Sequence, residues 1–128
     1  MVNDSSEITI ATTDAEESLI GAILIESTTG TREAINKVAL QLHGEDFRDY
    51  FNKKIFDAMT KCPLPPHQIN VARQLHADKT LENGMVAHLC HCVSICPCSL
   101  DYMDYAQAIK RYSDIRTGKK HTYIRGAI

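Results

Sequence analysis

Chemistry in this chain concentrates in one segment, His88-Leu89-Cys90-His91-Cys92-Val93-Ser94-Ile95-Cys96-Pro97-Cys98, with six histidines and cysteines in eleven residues. Thiolates and imidazoles are the ligands zinc prefers. The spacing, however, is C-x-C-x3-C-x-C rather than two C-x2-C knuckles. On a helix Cys90 and Cys92 would point about 200° apart, so they could not chelate together without unwinding it. His88 and Cys92, at i and i+4, could. A zinc site built on His88, Cys92, Cys96 and Cys98 is therefore the alternative reading, that of a small Cys/His metal-binding regulatory protein. The favoured reading needs no metal: cysteine packs as a small hydrophobe and is often buried. A catalytic thiol would need a cleft and an oxyanion site, and neither is signalled.

Other residues with chemical potential find structural explanations. Thr117-Gly118-Lys119-Lys120 echoes a phosphate loop but has Ser113 where the first glycine belongs and no hydroxyl after Lys119. A basic helix end suits the helix dipole. The acid pairs Glu16/Glu17 and Asp101/Asp104 stand where first helical turns are expected, so capping explains them better than glycosidase-type acid and base catalysis. His43, His67, His76 and His121 are expected to be solvated. Tyrosines Tyr102, Tyr105 and Tyr112 could stack on bases, but at helical spacing they suit a core or an interface. No catalytic residue, metal or cofactor is assigned.

The elements that carry these residues read as helices. Thr13-Asp14-Ala15-Glu16 forms a capping box, and Ala15, Leu19, Ala22 and Ile23 recur at helical spacing, which predicts a first helix over 14–27. Ser27-Thr28-Thr29-Gly30 breaks it. A second helix is expected over 31–41, ended by Gly44. A third, over 47–61, is capped by Asp46 and stopped by Pro63-Leu64-Pro65-Pro66. Short helices over 67–76 and 85–94 follow, the latter stopped by Pro97, and a last one runs from Leu100 to Thr117 before Gly118. No period-2 alternation and no internal repeat appears. The fold class is all-α, a compact bundle of about six helices with Leu19, Ile23, Phe47, Ile55, Phe56, Leu75, Leu89 and Ile109 in its core. The domain plan is an acidic arm (1–12), the helical domain (13–118) and a basic tail (119–128).

Composition sets the bounds. A chain of 128 residues, 44% hydrophobic and 23% charged, holds one domain. A formal net charge of -2 and a pI near 6.3 argue against nucleic-acid binding by bulk charge. The longest uncharged apolar run, Ser18 to Ile25, is too short to span a membrane. No signal peptide is legible and five cysteines are an odd count, so a cytoplasmic chain with reduced thiols is expected. Residues 1–30 hold six acids and no Lys or Arg, whereas residues 110–128 hold six basic residues and one acid.

The order of these elements, with their particular residues, resembles the N-terminal domain of DnaB-type replicative DNA helicases. The resemblance rests on Asp14-Ala15-Glu16 followed by Leu19-Ile20-Gly21-Ala22-Ile23-Leu24, then Glu45-Asp46-Phe47 and Ile55-Phe56-Asp57-Ala58. Gly84 and Pro97 bracket a further helix, and Tyr105-Ala106 precedes Arg116 by the family's interval. The sequence departs from the pattern at Asn52, where the family has His, and in the loop Pro65-Pro66-His67-Gln68-Ile69-Asn70, which is shorter than the family's Pro-Ile-Asp element. Cys92 and Cys96 stand where the family has Leu and Val. The resemblance implies no chemistry in this domain, since the ATPase motor of such helicases lies beyond it. It implies instead dimerisation, a place in the helicase collar, and contact with primase or helicase-loader proteins in the primosome. A homodimer through the last helix is expected, with Tyr105, Ile109 and Tyr112 at the interface. No sequence-specific nucleic-acid contact and no membrane is expected.

Overall fold

In the computed structural model, which describes residues 4–118, six α-helices run in the order α1 (Asp4–Glu26), α2 (Glu33–Ala39), α3 (Tyr50–Lys61), α4 (Gln68–Ala77), α5 (Met85–Ile95) and α6 (Tyr102–Thr117). Among the described residues there is no strand, and no helix is long and apolar enough to cross a membrane. Residues 1–3 and the basic tail 119–128, with His121, lie outside the described residues.

The first helix differs most from expectation. It begins at Asp4, so residues 4–12 are helical rather than an arm and Thr13 caps nothing. The stripe facing the bundle runs back through Ala15, Thr12 and Ile8, but it is interrupted by two polar residues, Thr12 and Glu16, that are themselves buried. The Thr12 hydroxyl donates to the Ile8 carbonyl one turn earlier, 2.6 Å away, which makes it compatible with a helix interior. At the other end Gly30 adopts the left-handed conformation (φ 92°) and closes the 3-10 turn Ser27–Thr29.

Helix α2 is shorter than expected and buries Ala34, Ile35 and Val38. Asp46 does not cap α3. It is buried in the 3-10 turn Gly44–Asp46, and Asp49 accepts the Asn52 N–H as the actual cap, at 3.1 Å. His67 is not merely solvated: its ring nitrogen accepts from the Asn70 N–H at the start of α4. The left-handed Gly84 opens α5, Pro97 follows its end, and the left-handed Gly118 terminates α6.

Helix α1 is the axis of the bundle. Helix α6 lies antiparallel along it, with Ser99 bonded to Glu26 (2.6 Å) at one end and Tyr112 and Ile115 near Ile8 and Thr12 at the other. Helix α5 crosses α1 at Gly21, where a Cβ would stand 2.1 Å from the Cys92 carbonyl oxygen, so only glycine allows this approach. All eight residues expected in the core are buried there. Phe47 stacks on Phe56 with ring centroids 4.7 Å apart, which anchors the start of α3 to the turn before it.

Candidate protein-protein interface

Helix α6 separates the three side chains expected to associate. Ile109 is fully buried in the core and offers no surface, a correction that follows from its position on the face packed against α1 and α2. Tyr105 is half-buried. Its hydroxyl donates to the Cys98 carbonyl (3.0 Å) and accepts from the Cys98 N–H (3.2 Å), so it ties the Cys96-Pro97-Cys98 loop to α6. Tyr112 is also half-buried, but it lines an open groove of about 340 Å³ with Ile8, Thr9, Thr12, Arg48, Ile115 and Arg116. Ile115, 48% exposed, adds an apolar side chain that the sequence reading missed. Its signal was the i, i+3 spacing from Tyr112. The groove therefore joins the first turns of α1 to the last turns of α6.

A polar knot holds the α6 side of that groove in place. Asp46 accepts from the His43 N–H (2.9 Å) and the Ser113 hydroxyl (2.8 Å), and pairs with Lys110 at 3.4 Å. Burial pushes the Asp46 carboxyl up, but these donors together outweigh it and hold the group below its ordinary value. Arg116 donates to the Asp46 carbonyl oxygen at 2.9 Å, so the arginine that carries the family pattern staples the end of α6 to the Gly44–Asp46 turn.

A second polar cluster joins α1, α3 and α5. Glu16 is fully buried, three turns into its helix, not at a solvated helix start. Its carboxylate accepts from the backbone N–H of Arg48 (2.6 Å) and Asp49 (3.3 Å) and from the Asn52 side-chain amide (3.0 Å). Burial raises its proton affinity despite these donors. Asn52, also fully buried, meets Nε2 of His88 through its Oδ1 at 2.6 Å. Nothing in the periodicity flags Glu16 except its place on the buried stripe of α1.

The Cys/His segment does not assemble as a metal centre. His88 is engaged with Asn52, and Cys92 is buried against α1, which pushes its thiol far up. Cys96 is half-buried and raised by burial, whereas Cys90 and Cys98 are exposed. Among the described residues no three His, Cys, Asp or Glu side chains are placed to hold a metal ion, so the zinc alternative on His88, Cys92, Cys96 and Cys98 has no support. The thiols divide into core and surface, as packing alone dictates.

Comparison with known proteins agrees with this architecture. No curated protein is similar enough to match. Among solved structures, the crystal structure of the N-terminal domain of DnaB helicase from Mycobacterium tuberculosis superposes with a TM-score of 0.72 at 23% identity, covering 81% of this chain and 75% of that one. The two share the fold. Residues 9–111 match the family model described as DnaB-like helicase N terminal domain, a span from the second turn of α1 to the middle of α6. On that match, which takes in most of the chain, the protein belongs to the DnaB-like helicase N-terminal-domain family.

Proposed function

We propose that this chain is a non-catalytic association module of DNA replication, working in the cytoplasm and needing no cofactor. Its helical domain self-associates as a homodimer through α6 and presents surface to a primase or helicase-loader protein. The observation that carries this reading is the family match over residues 9–111, taken with the open groove at Tyr112 and Ile115. The matched family model describes the N-terminal domain of such helicases and not their motor. A groove with a tyrosine, aliphatic walls and flanking arginines has the composition favoured at protein interfaces. Tyr105 stands on the same helix but is occupied with Cys98 and Ile109 is buried, so Tyr112 is kept and Ile115 joins it as the proposed anchors.

The experiment is titration calorimetry of the full chain against purified primase and purified loader from the same organism. Binding to one of them is the expected result. Absence of binding to both at high micromolar concentration would overturn the partner assignment.

A further inference from the structure

Asn52 cannot choose its partners independently. Its amide has one accepting oxygen and one donating nitrogen. In the structure the nitrogen donates to Glu16 Oε1 (3.0 Å) and the oxygen meets His88 Nε2 (2.6 Å). With Glu16 ionised this is the only consistent arrangement, because a carboxylate accepts and cannot donate. His88 must then carry its proton on Nε2.

A proton added to Glu16 reverses every direction in the chain. Oε2 accepts from the Arg48 N–H at 2.6 Å, and Oε1 accepts from both the Asp49 N–H (3.3 Å) and the Asn52 amide (3.0 Å); a proton on Oε1 takes the place of the Asn52 donor and leaves the Asp49 bond standing. Its new O–H must donate to the Asn52 oxygen, which requires the amide to turn over. The Asn52 nitrogen then donates toward His88, whose Nε2 must offer a lone pair and whose proton must sit on Nδ1. An imidazolium has no lone pair. It is compatible only with ionised Glu16.

We propose that Glu16, Asn52 and His88 form a proton-controlled relay across the junction of α1, α3 and α5, in which protonated Glu16 and doubly protonated His88 exclude one another. The relay connects a fully buried carboxyl to a histidine whose side chain is 17% exposed and so reaches solvent. Its charged surroundings are few. Asp49 of the α3 cap lies close enough to raise Glu16, adding to burial. Around His88, Glu17 of α1 has its Oε2 at 4.0 Å, and the His91 ring of α5 is 5.9 Å away. His91 in turn holds Glu17 Oε1 at 3.0 Å, and Phe51 of α3 closes the site edge-on against His88. When the relay turns, the His88–Asn52 bond persists with donor and acceptor exchanged, while Glu17 keeps its bond to His91. The proton on Glu16 thus sets the direction of the bond that joins α3 to α5 through one amide.

Nitrogen-15 NMR of the histidine rings in the full chain tests this directly. At neutral pH wild-type His88 is expected in the Nε2–H form. Glu16→Gln supplies a permanent donor toward Asn52 in place of the protonated acid, and should move His88 to the Nδ1–H form at the same pH. A His88 that keeps its Nε2 proton in that variant would overturn the relay. A second measurement stands even if Glu16→Gln does not fold. In His88→Gln, which cannot become a cation, the Glu16 carboxyl carbon should titrate at a pH higher by about one unit, the scale of coupled sites. An unmoved midpoint would equally overturn the proposal.

Discussion

Glu16 and Asp46 are both buried carboxylates and respond to acid in opposite senses. Asp46 is held below its ordinary value of 3.8, so the stability it contributes is complete above that value. That contribution is lost as pH falls through the still lower folded-state value. Asp46→Asn should therefore flatten the loss of stability in acid melts below the ordinary value of 3.8, because that segment of the curve reports the difference in proton binding. Glu16 is raised by burial, so the folded protein binds this proton more readily than the unfolded chain, and its titration adds stability as pH falls through the folded value. Removing the carboxyl altogether is another matter. Glu16→Ala leaves the Arg48 and Asp49 N–H groups and the Asn52 amide without their acceptor, and should cost about 3 kcal/mol in a denaturant melt, since each buried unpaired donor costs roughly 1–3 kcal/mol. Glu16→Gln keeps one acceptor oxygen for the Arg48 N–H and should cost less than Glu16→Ala. Neither carboxylate's role was legible in the sequence. Both were read as caps, because an acid near an expected helix start has an ordinary explanation and its burial depends on chain that arrives from elsewhere.

At the scale of the element, the breakers and the apolar stripes were legible and the polar interruptions were not. Pro97, Gly84 and Gly118 mark ends that local geometry alone imposes, and the structure ends helices there. The start of α1 was misplaced because Thr12 and Glu16 break its apolar pattern, although both pack inward. Helix α5 was placed correctly, but its tight seat on α1 could not be inferred, since a glycine in a helical stripe shows no partner. Gly21→Ala should destabilise by more than about 2 kcal/mol, because a Cβ 2.1 Å from the Cys92 carbonyl forces α5 away from its packed position. Phe56→Ala removes a ring that is 1% exposed and stacked on Phe47, and should cost about 3–5 kcal/mol. A loss below about 1 kcal/mol in a denaturant melt would mean that the ring contributes little to the core.

Seen as a whole molecule, the bundle is a scaffold whose buried polar groups lock three helices at one junction and one turn against α6, while a groove between α1 and α6 stays open. The fold and family were legible because short motifs kept their order and spacing. The association surface was legible only as a helix: the sequence pointed to α6, but Ile109 faces inward and the groove also takes residues from α1, which no pattern within α6 could reveal. Self-association through that groove is the proposed role of α6, and a symmetric dimer would bury the same patch on both copies. Sedimentation equilibrium of the full chain from low to high micromolar concentration tests it most directly. A concentration-dependent monomer–dimer equilibrium is expected, which Tyr112→Asp shifts to monomer without loss of helical circular dichroism. A wild-type chain that remains monomeric at high micromolar concentration, or a Tyr112→Asp variant that assembles unchanged, would contradict it.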